Sequence, residues 1–79
     1  DYHSLSAYCA IFRQEAGKTQ QTVADDIGIS RATLNAFETG RATDIGLRKL
    51  LKLLDYYGYE VQLQHKAALP TLEMLLNER

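Results

Sequence analysis

The sequence predicts a small, mainly α domain of four to five helices, followed by one β-strand that pairs across a homodimer. Two observations lead to this fold class. Apolar residues recur at helical spacing in four successive segments, and a glycine follows each segment. The spacing then changes to strict alternation. We predict a helical domain over residues 1–58, a dimerising strand over 59–66 and a C-terminal tail over 67–79.

The first two helices are predicted from apolar faces and from the residues that bound them. Residues 4–16 place Leu5, Cys9 and Phe12 on one face. Residues 20–27 form the second helix, and Thr19 precedes them as a helix N-cap. The buried face of this second helix is predicted to hold Val23, Ala24 and Ile27.

The third and fourth helices are predicted in the same way, from their caps and their apolar faces. Ser30 caps a helix over residues 31–39, which buries Leu34 and Phe37. Thr43 or Asp44 is expected to cap the fourth helix, over residues 45–57. Its apolar stripe is predicted to be Leu47, Leu50, Leu51 and Leu54. Gly46 would then lie in the first turn, where glycine costs up to about 1 kcal/mol relative to alanine.

The alternating segment "YEVQLQH", residues 59–65, is typical of a half-buried strand. A lone strand leaves its backbone groups unpaired, and no second strand is predicted in this chain. We therefore expect an antiparallel ribbon between two copies of the chain; the alternative is a loop or a short helix. The predicted dimer interface comprises Tyr59, Val61 and Leu63, with Tyr57 and Leu53 from the fourth helix.

Composition narrows the function classes. The chain has 79 residues, of which 46% are hydrophobic and 24% charged, as in ordinary globular domains. No apolar run approaches the ~20 residues of a membrane span, and the single cysteine excludes an internal disulfide. These features predict a cytoplasmic protein without a membrane partner. The net charge is −1, but residues 30–52 carry five basic side chains against two acidic ones. This basic segment suits nucleic acid, although scatter is the alternative.

Two helices joined by a tight glycine turn match the helix-turn-helix plan, which places the second helix in the major groove of DNA. Ala24 is small where the helices approach, Gly28 forms the turn and Leu34 holds the second helix on the core. The string "KTQQTVADDIGISRATLNAFETGR" resembles the lambda-repressor/Cro-like (Xre) helix-turn-helix family. This resemblance covers roughly residues 5–57 and implies a transcription regulator that acts at the nucleoid.

The whole layout resembles one branch of that family more closely, the HipB-like antitoxins. "GISRATLNAFETG" is followed by "LLDYYGYEVQLQ" and "PTLEMLL", the strand and tail of that branch. The resemblance implies a homodimer that represses its own operon. It also implies binding of a HipA-type kinase toxin through residues 67–79 and the dimer surface. The alternatives are a stand-alone Xre-type regulator without a toxin, and a protein–protein adaptor that does not bind DNA.

Candidate base-reading residues lie in the N-terminal half of the third helix. Arg31 suits guanine O6 and N7, and Asn35 suits adenine N6 and N7, or a phosphate. Ala32 admits a thymine methyl group, and Thr33 offers a hydroxyl to a base or a phosphate. The alternative for Arg31 is an ordinary solvated side chain.

Phosphate contacts are expected on both sides of these readers. The candidates are Thr19, Gln20, Ser30, Arg41 and Thr43. The resemblance implies that Gln20 contacts the DNA backbone and braces the recognition helix; the alternative for Thr19 and Gln20 is helix capping alone. It also implies a structural ion pair between Arg13 and Glu38.

The sequence contains no residue pattern that is typical of an enzyme active site. His3 and His65 lack acidic or cysteine neighbours at ligand spacing, so no metal site and no cofactor is predicted. Cys9 is expected to be a buried thiol rather than a nucleophile. The Asp25–Asp26 pair points to two sides of a helix, which makes it a poor acid/base dyad.

Overall fold

The computed structural model describes residues 1–42 and 44–66, and these residues form four α-helices and no β-strand. The helices are α1 (Tyr2–Glu15), α2 (Gln20–Ile27), α3 (Arg31–Glu38) and α4 (Leu47–Tyr56). Helix α3 packs against both α1 and α2, and α2 also packs against α4. In this part of the chain no helix has the length and apolar character needed to cross a membrane.

Short polar side chains begin the first three helices. The Thr19 and Ser30 side-chain oxygens accept hydrogen bonds from the backbone N–H three residues later, at 3.1 and 3.0 Å. These are the predicted caps of α2 and α3. Asp1 caps α1, which begins at Tyr2 rather than at residue 4. Gly28 ends α2 in the left-handed conformation, at φ 78° and ψ 37°.

The predicted start of α4 is wrong. The helix begins at Leu47, and Gly46 precedes it at φ 92° and ψ 139°, a conformation that is essentially restricted to glycine. Asp44 does not cap the helix, because its Oδ1 accepts from the Gly46 N–H at 2.9 Å and closes a turn. Ile45 enters the core instead of opening the helix. Thr43 lies outside the described residues.

Gly46→Asn should lower the free energy of unfolding by about 1–3 kcal/mol, because asparagine does not adopt this backbone conformation without strain. Space is not the cause, since a Cβ at Gly46 meets no atom within 4 Å. Gly28→Asn is the matched control, because asparagine tolerates the left-handed conformation found there. Denaturant unfolding measures both variants, and an equal loss in the two would contradict the backbone explanation.

The core lies where the four helices meet. Its buried apolar residues are Cys9, Val23, Ala24, Ile27, Leu34, Phe37, Ile45, Leu53 and Leu54. The buried faces predicted for the second and third helices are confirmed. The interior is therefore formed largely by the two helices that carry the candidate site, and this anchors both of them.

The predicted leucine stripe of α4 is half wrong. Leu54 is buried and Leu50 is half-buried, but Leu47 and Leu51 are 70% and 42% exposed. Leu53 is fully buried in the core of its own chain, which corrects its prediction as a dimer contact. The leucines of α4 form two overlapping apolar stripes, one that includes Leu47 and one that includes Leu53. Helix α4 packs against α2 with the stripe that includes Leu53.

Cys9 is the buried thiol that the sequence predicts. Burial, assisted by the charge of Glu38, raises the pKa of this thiol from 9.0 to about 11. The unfolded chain loses this proton at a lower pH than the folded chain. The contribution of the neutral Cys9 thiol to the free energy of unfolding is therefore complete below pH 9 and disappears as the pH rises through 11.

We expect the free energy of unfolding to fall by on the order of 2 kcal/mol across this alkaline range. Cys9→Ala should flatten the slope, and denaturant unfolding at a series of pH values measures it. A residual slope is expected from Tyr57, whose hydroxyl pKa is also raised by burial. A slope that Cys9→Ala leaves unchanged would exclude the thiol as its source.

Residues 59–66 form neither helix nor strand, and their side chains are exposed. The Tyr59 ring stacks on Phe12 of α1, with ring centres 4.1 Å apart. A strand is defined by hydrogen bonds to a neighbouring strand, and the predicted neighbour is a second chain. The strand and its pairing therefore stay predictions. The predicted tail, residues 67–79, lies outside the described residues.

Candidate nucleic-acid interface

Helices α2 and α3 have eight residues each and are connected by residues 28–30. Leu34 and Phe37 are fully buried and fix one side of α3 to the core. The first turn of α3 carries Arg31 and Ala32, both exposed. The short connection and the buried anchors present the N-terminal half of α3 at the surface as a rigid unit.

The structure places the four predicted base readers within the first five positions of this helix. Arg31 and Asn35 are one turn apart and share a face. Arg31 is exposed, and no hydrogen bond or ion pair from residues 1–42 or 44–66 engages its guanidinium. Thr33 and Asn35 are half-buried. Within the part of the chain that the structure describes, the donors of the Arg31 guanidinium are therefore available to a ligand.

Thr19 and Ser30 act as caps, which is the alternative role weighed for Thr19 from the sequence. The Ser30 and Thr33 hydroxyl oxygens are 2.8 Å apart and share a hydrogen bond. The Thr19 hydroxyl donates to the Thr22 hydroxyl at 3.0 Å. A hydroxyl group has one proton to donate, and a contact with a phosphate oxygen needs that proton. The phosphate contacts of Thr19 and Ser30 therefore stay predictions.

Arg41 is positioned by a neighbouring residue that was not predicted as part of the site. Its Nε donates to the Thr39 hydroxyl at 3.0 Å, and that hydroxyl donates to the backbone oxygen of Asn35 at 2.8 Å. Arg41 therefore lies against the C-terminal end of α3. In the sequence, the feature that could have indicated this contact was the position of Thr39 two residues before Arg41. The other predicted anchor in this region, Thr43, is outside the described part of the chain.

The predicted ion pair between Arg13 and Glu38 is present. Arg13 Nε lies 2.8 Å from Glu38 Oε2, and Nη2 donates to Oε1 at 3.0 Å. The two side chains are 15% and 3% exposed. The hydrogen bond to Glu38 raises the pKa of the Arg13 guanidinium. Arg13 Nη1 also donates to the Lys18 backbone oxygen at 2.8 Å, so the pair ties α1 and its following turn to α3.

Gln20 extends this network to the surface of α3. Its Nε2 donates to Glu38 Oε1 and to Asn35 Oδ1, both at 3.1 Å. The bracing of the third helix by Gln20, which the family resemblance implied, is therefore seen. Three helices contribute to one hydrogen-bonded cluster, which we call the brace: Arg13, Gln20, Asn35 and Glu38.

The brace also shapes the local charge. Glu38 is paired with Arg13 beneath the surface, so it does not oppose the exposed basic side chains nearby. Arg31 and Arg41 lie at the two ends of α3 and are both exposed. Within residues 1–42 and 44–66, no three His, Cys, Asp or Glu side chains are grouped to hold a metal ion.

This arrangement defines a helix-turn-helix unit with an exposed, cationic start to its second helix. A helix-turn-helix family model matches residues 10–64 of the chain, more than half of its length. The chain belongs to this family, in the lambda-repressor/Cro-like (Xre) class, whose members are DNA-binding transcription regulators. No curated protein matches the chain.

Proposed function

We propose that this chain is a repressor that binds a palindromic operator in duplex DNA as a homodimer. The observation that carries the proposal is the exposed Arg31 guanidinium at the start of a helix that the brace holds in place. The role needs no cofactor and no catalysis. The proposed place of action is the cytoplasm, on the nucleoid.

Arg31 would enter the major groove and donate two hydrogen bonds to guanine, a contact that contributes roughly 1–3 kcal/mol of discrimination. Arg41 would hold a phosphate at the other end of α3, supported by Thr39. The N-termini of α2 and α3 carry partial positive charge and favour phosphates nearby. Arg31 therefore supplies sequence preference, whereas Arg41 supplies affinity without preference.

Dimer formation is supported by apolar side chains on residues 59–66. Val61 and Leu63 are 56% and 96% exposed, although they alternate with polar Glu60 and Gln62 as in a half-buried strand. A second copy that pairs in antiparallel fashion would cover this apolar face and satisfy the backbone groups. The two α3 helices would then read half-sites about 34 Å apart.

Selection of duplex DNA from a random library, at moderate salt, tests the proposal directly. The expected result is an enriched palindrome with half-sites one helical turn apart, bound with an affinity that falls steeply as salt rises. A folded protein that enriches no motif and shows no salt-dependent affinity for DNA would overturn the proposal. It would favour the adaptor function that the near-neutral net charge allows.

The variant Val61→Lys/Leu63→Lys should weaken the dimer by about a thousandfold or more, because each copy loses two apolar side chains whose burial stabilises the interface by roughly 1.5–3 kcal/mol each. Sedimentation equilibrium measures the dimer, and affinity for the selected palindrome should fall with it. The matched control is Gln62→Lys/Gln64→Lys, with equal charge on the opposite face of the strand. Equal weakening by both variants would contradict the predicted strand register.

We further propose that the protein is the antitoxin of a HipA-type kinase toxin and represses their shared operon. The layout of strand and tail after the helical domain supports this role. The proposed contact is residues 67–79 together with the dimer surface. Deletion of residues 67–79 should abolish co-purification with the kinase encoded beside this gene, and leave operator binding intact. If the deletion left kinase capture unchanged, the proposed contact through residues 67–79 would be wrong. The absence of a neighbouring kinase gene would favour a stand-alone regulator.

A further inference from the structure

We propose that the dimer interface extends from residues 59–66 onto an exposed apolar face of α1, and that the two strands pair in a register centred on Val61. The occupant of the α1 face is the second copy of the chain, which contributes its Leu63. This inference deepens the proposed homodimer and rests on it. It specifies the surface that the second copy covers and the residues of the two strands that lie opposite each other.

The apolar face of α1 consists of Tyr8, Ile11 and Phe12. These residues are three and four positions apart or adjacent, so their side chains are neighbours on the helix surface. The other side of the helix places Ser6 and Cys9 in the interior. Tyr8 and Ile11 are each about half exposed, and contiguous exposed apolar side chains mark a surface for protein interaction.

Tyr59 connects this face of α1 to the predicted strand. The rings of Tyr8 and Phe12 are stacked with centres 6.2 Å apart, and the rings of Phe12 and Tyr59 with centres 4.1 Å apart. In a strand, Tyr59 shares one face with Val61 and Leu63. The apolar face of the predicted strand is therefore turned toward α1 at the residue where the strand begins.

A ribbon of two strands needs a further element to pack against. Two paired strands alone are marginally stable in water, and packing against a helix stabilises them. A standard interface also uses about 20–30 residues from each partner, many more than residues 59–66 supply. The face of α1 meets this need, because it is exposed and already contacts Tyr59. Two-fold symmetry would place the ribbon on the α1 helices of both copies.

The order of the side chains selects one register. With the two Val61 residues opposite each other, Tyr59 lies opposite Leu63 of the other copy, so every apolar side chain of the ribbon faces another. A register centred on residue 60 would place two Glu60 carboxylates opposite each other, which is destabilising. A register centred on residue 62 would pair Tyr59 with polar His65. The register centred on Val61 places Leu63 of the second copy beside Tyr59, over α1.

Sedimentation equilibrium of Tyr8→Lys/Ile11→Lys tests whether α1 belongs to the interface. The dissociation constant of the dimer should rise by about a hundredfold or more, because each copy loses two side chains that the ribbon would bury. The matched control is Ala7→Lys/Gln14→Lys, which adds equal charge at exposed positions on the side of α1 opposite Phe12. The control should dimerise like the wild type. Denaturant unfolding checks that both variants are folded.

Single cysteines under mild oxidation test the register. Val61→Cys should form a covalent dimer, because the register places the two thiols directly opposite each other, close enough for a disulfide. Leu63→Cys should form little, although residue 63 is more exposed than residue 61, because its two copies lie at opposite ends of the ribbon. The wild type gives the background, since its single cysteine, Cys9, is buried.

A pair of cysteines tests the contact with α1 without adding charge. Oxidation of Tyr8→Cys/Leu63→Cys should form a covalent dimer, because each α1 face contacts Leu63 of the other copy. Gln14→Cys/Leu63→Cys is the control and should stay largely monomeric on a non-reducing gel. An internal disulfide in Tyr8→Cys/Leu63→Cys, seen as an oxidised monomer, would overturn the proposed contact between copies even if the lysine variant did not fold.

Two further outcomes would overturn the inference while leaving the repressor function in place. One is a dimer that Tyr8→Lys/Ile11→Lys weakens no more than its control does, which would leave the α1 face to residues 67–79 or to another protein. The other is faster cross-linking of Leu63→Cys than of Val61→Cys. A wild-type protein that stays monomeric while it binds its operator would instead overturn the homodimer itself, and with it this interface.

Discussion

Replacement of Arg13 by methionine should lower the free energy of unfolding by about 3–5 kcal/mol, a large part of the stability of a small domain. The reason is the carboxylate left behind, since the Glu38 side chain is only 3% exposed. Gln20 continues to donate to Glu38 but carries no charge to compensate it. Denaturant unfolding of the variant beside the wild type measures the loss.

Two further variants separate this charge effect from loss of side-chain packing. Arg48→Met, on the exposed surface of α4, should change stability by less than about 0.5 kcal/mol. Arg13→Met/Glu38→Leu should recover much of the loss, because an apolar pair leaves no buried charge. If the double variant were as unstable as Arg13→Met alone, packing of the Arg13 stem would be the dominant contribution.

Arg31→Ala should remove the preference for guanine at one symmetric pair of operator positions. Each chain of the proposed dimer loses one contact worth roughly 1–3 kcal/mol, so affinity for the operator should fall by about 2–6 kcal/mol. The fold should be unaffected, because Arg31 is exposed and caps nothing. Binding to the selected operator, and to operators changed at that pair, measures the effect.

Arg41→Ala is the comparison that separates reading from anchoring. It should weaken binding to all duplexes to a similar extent and reduce the dependence of affinity on salt. Arg31→Ala should instead leave affinity for operators without the guanine nearly unchanged. Identical behaviour of the two variants would contradict the division between a base-reading Arg31 and a phosphate-binding Arg41.

Local chemistry explains which features of the fold the sequence predicted. Thr19 and Ser30 cap their helices because a short side-chain oxygen reaches the N–H three residues later. Gly28 ends α2 because glycine adopts positive φ without strain. These signals depend on a few neighbouring residues, so they can be recognised without the tertiary structure. The Arg13–Glu38 pair was different, since only the family resemblance implied it across 25 residues of sequence.

The features that the sequence misplaced depend on packing between distant elements. The leucines of α4 support two faces equally well, and contact with α2 decides that Leu53 is inside and Leu47 outside. Gly46 reads as an unfavourable helix residue until its φ of 92° shows that the helix has not yet begun. An amphipathic pattern defines a face only when one register is clearly more apolar than the other.

The sequence by itself determined the helix-turn-helix motif, its caps and the arginine at the start of the reading helix. Periodicity, capping and turn formation act over a few residues and leave a signal in the order of the amino acids. Only the tertiary structure decided the rotation of α4 and the connection from Glu38 through Gln20 to Asn35. Hydrogen-bond polarity between three helices depends on which atoms meet in space, and residue types alone do not specify that.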